Sequence, residues 1–351
     1  MKPALVPLRL RPQRLTGDPL SDPAAVVAHL GAVQSQDHAM SLWSVGRRCG
    51  ATLAEVEESF ERADFVRTHV MRGTWHHVLA ADLTDFLEVT RPRSEQMLAT
   101  GNRTIGLSEQ HMHDGADLVT AAVAADGPLS RPDLAERLED AGLEHSGTAL
   151  AHIVMYAEVT GRIVSGPMRG KRHTYVTADL PPSRRSPDER LALIAQTYAR
   201  GHGPFQARDL AWWTSLTLTQ ARRAVELSGL RTVDIGGKEH IADHEPEPVD
   251  VPRAMLLSNF DELISYVRDP DDLDHLGTNR DTFMRSGGHL FVDGRLDGFW
   301  RRTVTKGEVA VTVTSVDRLD GNVLREIEAE ADAFGRFCER TPTLDIVRQP
   351  A

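Results

Sequence analysis

Two stretches of this chain share the pattern GPxxxxDL: Gly127-Pro128-Leu129-Ser130-Arg131-Pro132-Asp133-Leu134 and Gly203-Pro204-Phe205-Gln206-Ala207-Arg208-Asp209-Leu210. A helical pattern follows each, and then a pair of short alternating segments joined by a glycine-bearing turn. Helix, helix and hairpin is the order of a winged helix-turn-helix, and its recurrence is the signature of a chain built from stacked copies of one unit. The expected fold is therefore mainly α with small β-hairpins (α+β), organised as tandem winged helix-turn-helix repeats. In the first copy a helix starts at Arg131, a second at Gly147, and the wing tip is Met168-Arg169-Gly170-Lys171-Arg172-His173. A basic tip of this kind reaches phosphates, which fix register without reading bases; a solvated turn is the plainer alternative.

At 351 residues the chain exceeds one ordinary core, and two or three domains are expected. Apolar periodicity and stop signals place helices at about 23–33, 53–62, 80–98, 115–125, 131–141, 147–160, 187–200, 206–214, 217–228 and 318–339. Hairpins are expected at GRIVSGPMRGKRHTYV, at RTVDIGGKEHIA around Gly236-Gly237, and at HLFVDGRLDGFWRR around Asp293-Gly294. Proline- and charge-rich stretches at 179–189 and 243–252 read as linkers. Four regions follow: 1–112 and 113–183 as the first and second winged helices, 184–248 as the third, and 249–351 as a β-rich region with a closing helix. No apolar run approaches a membrane span. The opening MKPALVPLRLRPQRL is broken by prolines and arginines where a signal peptide needs apolar residues, so the expectation is a cytoplasmic protein. A net charge of −11 argues against wholesale coating of nucleic acid, although local basic clusters decide phosphate affinity.

Metal chemistry is not expected. Cys49 and Cys338 are far apart and in no ligand pattern, and His111 and His113 lack a third partner at metal spacing. RDPDDLDH has neither the glycine nor the closing glutamate of a calcium loop, which leaves a solvated acidic loop.

The segment GAVQSQDHAM, residues 31–40, poses a sharper question. Asp22 can cap and Pro23 can open the helix before it. Side chains two apart share a face only in extended backbone, so Gln34 and Gln36 can act together only if the chain leaves the helix there.

RLTGDP, LGAVQSQDHAMSLWSVGRR, FVRTHVMRGTWHHVLAADL, MLLSNFDELISYVRD and VDGRLDGFWRR, in that order from about residue 9 to about 340, resemble the AlkZ-like (winged helix DNA-binding domain-containing) DNA glycosylases. The resemblance implies three tandem winged helices forming a concave DNA-binding channel, with a Q-x-Q or Q-x-D motif at the catalytic centre. Gln34 and Gln36 fall on its two positions; Ser35 stands where the family is often apolar. It further implies Arg72 as a phosphate grip beside Gly73, and Thr74 and His76 or His77 as site-lining residues. An arginine paired with an acidic neighbour across a strand and a simply packed histidine are the plainer readings.

The chemistry fits the amides. N-glycosidic hydrolysis passes through an oxocarbenium-like sugar, with water arriving opposite the departing base. A glutamine carbonyl takes no proton, but it accepts a hydrogen bond from the water and turns partial negative charge towards the cation. That suffices when the leaving group is already good, as an N7-alkylated purine is. Asp37 is the rival base, pointing away from Gln36 in extended backbone. Trp212 and Trp213 offer stacking or core packing, and Arg301 and Arg302 a positive channel wall. Of 40 basic residues only Lys2, Lys171, Lys238 and Lys306 are lysine, none near QSQ, so water rather than an amine is the expected nucleophile.

The resulting expectation is a monofunctional, monomeric DNA glycosylase that removes N7-alkylpurines, crosslinked ones included, from double-stranded DNA without a cofactor. A non-catalytic winged-helix regulator would carry base-reading Arg, Asn and Gln on its recognition helix, and GTALAHIVMYAEVT has almost none. A hydrolase of nucleosides or small glycosides would fit the acidic charge.

Overall fold

The computed structural model describes residues 5–143, 145–267 and 287–348. Lys2 and the acidic run RDPDDLDH lie outside the described residues.

The recurring GPxxxxDL pattern has the same two structural roles in both copies. Its third residue pairs with the outer strand of the following hairpin: Leu129 opposite Tyr175, and Phe205 opposite Ile241. Its aspartate closes the next helix's first turn, Asp133 Oδ2 accepting from Ser130 N–H at 2.8 Å and Asp209 Oδ2 from Gln206 N–H at 2.8 Å. The first copy runs Glu109–Asp126, Leu129–Ser130, Arg131–Asp140, Gly147–Val159 and the hairpin Ile163–Arg169/Arg172–Thr177. The second runs Pro187–His202, Phe205, Ala207–Thr214, Leu218–Ser228 and the hairpin Arg231–Ile235/Lys238–Ala242. The same chain order precedes both in Pro23–Leu30, Val33–Gln34, His38–Cys49, Leu53–Glu61 and the hairpin Val66–Met71/Thr74–Val78.

Contacts divide the chain into two compact units. One holds Ser59–Ala195 and Ala211–Gly229. Its strands lie in the order Thr74–Val78, Val66–Met71, Ile163–Arg169, Arg172–Thr177, Leu129–Ser130. Its core gathers Met112, Val119, Leu134, Leu138, Ile153 and Ile163 from the helices and the hairpin. The helix expected at 80–98 continues to Ile105, stopped by Gly106 at φ 71°, and the next starts early, at Glu109, because Ser108 caps it.

The other unit holds the chain up to Glu58, Gln196–Leu210 and the chain from Leu230. Its sheet runs Thr341–Arg348, Glu308–Ser315, Arg295–Val304, Gly288–Val292, Ala254–Leu257, with only the first pair parallel. The turn at Asp293-Gly294 has both φ values positive, 49° and 75°, as a two-residue hairpin requires. Gly298 is obligatory for another reason: a Cβ there would sit 2.0 Å from the Thr314 carbonyl of the neighbouring strand. Helix Gly321–Cys338 lays Phe334 edge-on against Trp43 and Trp300, with centroids 5.3 and 4.9 Å apart.

His38–Cys49 is a helix where the sequence analysis placed none. Ser41, Ser44, Gly46 and Arg48 interrupt its apolar pattern, yet all four are buried. Gly46 makes room for Phe337, and Arg48 and Ser44 meet a buried partner, Asp261. Arg48 Nη2 donates to Asp261 Oδ1 at 2.7 Å and Nη1 to Oδ2 at 3.1 Å. Its remaining donors go to the Gln13 carbonyl and side chain and to Ser44. Asp261 also accepts from Ser44, Ser258 and the Leu263 N–H. Burial alone would push the Asp261 carboxyl up, but Arg48's charge and these hydrogen bonds outweigh it and hold the carboxyl at about 2, against 3.8 ordinarily.

Asp261→Ala leaves a buried guanidinium uncompensated and is expected to cost about 3–5 kcal/mol in urea unfolding. Because the folded pKa is depressed, the wild-type contribution is complete above the unfolded pKa and is lost as pH falls towards 2. Acid titration of unfolding should therefore show a step in that window that Asp261→Ala lacks.

Candidate active site around the glutamine pair

The chain leaves the helix before the glutamines because Gly31, at φ 78°, ends Pro23–Leu30 with its N–H on the Val27 carbonyl. Val33–Gln34 is then a two-residue strand, and a new helix begins at His38. Burial alternates through the gap. Val33 and Ser35 are buried, Gln34 is half-buried and Gln36 exposed, so both amides lie on the outer side of an extended segment. Ser35, the departure from an apolar family position, is fully buried.

Glu262, a residue to which the sequence analysis gave no role, sits beneath Gln34. Its Oε1 accepts from the Gln34 N–H at 2.8 Å, while Oε2 faces Ser265 Oγ at 2.7 Å and His202 Nε2 at 2.9 Å. Tyr198 stacks on the His202 ring at 4.6 Å and anchors its own hydroxyl on the Ser265 carbonyl. Burial lowers the His202 pKa; Glu262 opposes it, and the charges of Arg9 and Arg48 lower it further. Because the Glu262 carboxylate oxygen can only accept, His202 Nε2 carries the proton of this contact. The only signal of this layer in the sequence is the pair Asp261-Glu262 within an apolar stretch, two acids that need partners if buried.

Asp37 is the N-cap of the following helix, accepting from Met40 N–H at 3.1 Å. Arg302 Nη2 lies 3.9 Å from its carboxylate; burial lowers the Arg302 pKa, and Asp37 offsets part of that. Arg301 is exposed and lies over Phe299 at 5.1 Å. Neighbours on one strand point to opposite faces, so the structure brings Arg302 to the glutamine segment and directs Arg301 away from it.

The remaining candidates belong to the other unit. Arg72 and Gly73 form the turn of the hairpin Val66–Met71/Thr74–Val78, at φ 53° and 64°. Arg72 Nη1 donates to the Trp213 carbonyl at 2.6 Å and Nη2 lies 3.0 Å from His76 Nε2, with the guanidinium 4.8 Å from the Trp212 ring centroid. His76 is fully buried and its Nδ1 meets the Thr74 carbonyl at 3.0 Å, which fixes the tautomer that accepts from Arg72. Thr74 Oγ1 bonds the Met71 carbonyl across the turn, and His77 packs against Phe60 and Phe65. Trp213 is core, whereas Trp212 is 45% exposed beside Arg72, so the two tryptophans divide packing from display. At the wing tip Arg169 bonds Asp133 and the Pro128 carbonyl, and Arg169, Lys171 and Arg172 are all exposed.

The model of the DNA glycosylase AlkZ-like family matches residues 27–337, a span that includes both glutamines, Arg72, Glu262 and Arg302. The chain belongs to this family. Among solved structures, the Streptomyces sahachiroi DNA glycosylase AlkZ shares its fold with a TM-score of 0.77 and 22% identity, over 99% of this chain and 100% of that one. No curated protein matches the sequence. Among the described residues no helix of this AlkZ-like chain is long and apolar enough to cross a membrane.

Asn caps a helix as well as Asp, so Asp37→Asn should preserve stability while Asp37→Ala loses about 1 kcal/mol. If Asp37 serves as a cap rather than a base, Asp37→Asn keeps base excision within about threefold, whereas loss of a general base costs about a hundredfold or more. Single-turnover assays on alkylated duplex decide between the two.

Proposed function

We propose that this AlkZ-like glycosylase is monofunctional, hydrolysing the N-glycosidic bond of N7-alkylpurines, crosslinked ones included, in double-stranded DNA, with Gln34 and Gln36 positioning the attacking water. The carrying observation is the pairing of two amides on the outer side of an extended segment whose backbone is tied to a buried carboxylate. The water donates to a glutamine carbonyl and attacks the anomeric carbon as the C–N bond to the base breaks. The alkylpurine carries away the bonding electrons as a neutral base, and the attacking water loses its proton to solvent. The amide oxygens face developing positive charge on the sugar. Neither glutamine needs to titrate, which restricts the site to bases that are already good leaving groups.

The three helix–helix–hairpin repeats act in this reading as winged helices, with 1–112, 113–183 and 184–248 as the units and 249–351 supporting the glutamine segment. Lys171 and Arg172 serve as backbone contacts, with Arg169 bracing the wing. Arg72 offers its guanidinium over Trp212 to a phosphate, and Thr74 and His76 hold it in place. The protein acts as a monomer in the cytoplasm, repairing alkylated DNA. Recognition of bases by the helix Gly147–Val159 has little support, because Leu150, Ile153, Val154, Ala157 and Val159 are committed to the core.

Gln34→Ala and Gln36→Ala are each expected to slow excision of N7-methylguanine about ten- to a thousandfold, the range for losing one preorganised polar group. Product DNA should stay uncut until alkali is added, and borohydride should trap no covalent complex; full activity of the double variant or robust trapping would sink the reading.

Replacing Lys171 and Arg172 with alanine should weaken binding to intact and lesioned duplex alike and flatten the salt dependence by about two phosphate contacts. An unchanged salt slope would take this wing off the DNA path.

A further inference from the structure

We infer that Glu262 is the positioning residue of the glutamine pair, holding Gln34 through its backbone N–H; the inference rests on the glycosylase reading of Gln34 and Gln36. Val33–Gln34 is a strand of only two residues, and the hydrogen bonds of its backbone help to set where the Gln34 amide points. One of them runs to Glu262 Oε1 at 2.8 Å. The carboxylate is itself immobile. It is 1% exposed, and Ser265 and His202 occupy its second oxygen at 2.7 and 2.9 Å. Asp261, its chain neighbour, is locked to Arg48 in the helix that follows Gln36. One short turn, Asp261-Glu262, therefore grips the glutamine segment on both sides.

Glu262 is not placed to be the general base. Glu262 is buried, both of its oxygens already accept hydrogen bonds, and it approaches the segment through the Gln34 main chain rather than its side chain. Its contribution is geometric. A displacement of about 1 Å in a group that orients a reactant can cost about a hundredfold in rate.

The test is a double-mutant cycle on a duplex carrying one N7-methylguanine, read by single-turnover kinetics. Glu262→Leu removes the acceptor and should slow excision about ten- to a hundredfold while duplex affinity changes by less than about threefold. Glu262→Gln keeps a carbonyl for the Gln34 N–H, provided that His202 moves its ring proton to Nδ1 and Ser265 turns its hydroxyl so that both accept from the new NH2, and should then recover the rate to within about fivefold of wild type. Combined with Gln34→Ala, Glu262→Leu should add less than about threefold, because both act through one group. Amide hydrogen exchange supplies a readout independent of turnover: protection of the Gln34 N–H should fall in Glu262→Leu and persist in Glu262→Gln. Should the leucine variant not fold, Glu262→Asp withdraws the carboxylate by one methylene, keeps its charge, and should reproduce both the slower rate and the faster exchange. Additive losses, a glutamine variant as slow as leucine, or unchanged Gln34 exchange would each overturn the inference. If the wild-type protein leaves the methylated duplex intact, the glycosylase reading fails instead, and the exchange data still decide whether Glu262 anchors Gln34.

Discussion

The buried ion pair between Arg48 and Asp261 sets the geometry of everything around the glutamines. Neither side chain is exposed, and an unpaired charge at that depth would be prohibitive. The pair is tolerated because both partners are saturated: the guanidinium by Gln13, Ser44 and Asp261, the carboxylate by Arg48, Ser44, Ser258 and the Leu263 N–H. A fully satisfied network admits one arrangement. It joins the helix that follows the glutamines to the turn that carries Glu262, and Glu262 in turn holds the strand that precedes them. The segment Gln34–Gln36 thus lies between two polar anchors that are chain neighbours, Asp261 and Glu262.

That rigidity suits a site built from amides. A carboxylate base contributes charge and proton affinity and tolerates some misplacement; an amide contributes only a dipole, whose value depends on distance and direction. Asp37, the one carboxylate in the segment, is used by the helix N-terminus and lies beside Arg302. The second unit shows the same economy of side chains. Arg72 organises a turn, orients His76 and packs over an exposed tryptophan, so a single guanidinium joins structure to a surface.

Much of the fold was legible because its signals are local. The GPxxxxDL copies announced a repeated motif, and the structure gives their aspartates and third residues matching roles. Asp22 and Pro23 marked where a helix starts, but its expected end at 33 overran the stop that Gly31 makes after Leu30, so extended backbone at Gln34 was a condition in the sequence and became a fact only in the structure. Gly236-Gly237 and Asp293-Gly294 turned their hairpins with positive φ, as their residue types require. The helix His38–Cys49 was not legible, because its serines, glycine and arginine look like a solvated mixture until Asp261, more than 200 positions away, is set beside them. The hairpin Val66–Met71/Thr74–Val78 and the strands Ala254–Leu257, Glu308–Ser315 and Thr341–Arg348 were missed too, since a strand's pairing partner is a tertiary fact.

For the site, sequence by itself determined the residue types. Two amides two apart share one side only where the backbone is extended, a condition that the helix end at Gly31 supplies in the structure, and the order of motifs carries the family resemblance. Tertiary structure alone decided which charged groups join them. Arg301 and Arg302 are adjacent in the chain, yet the pleat sends only Arg302 towards Asp37. Arg169 belongs to a basic run, but the carboxylate of Asp133 draws it back onto the repeat. Glu262 gains its place beneath Gln34 because burial forces each polar group to find a partner wherever the fold supplies one, and that partner is chosen by proximity in space rather than along the chain.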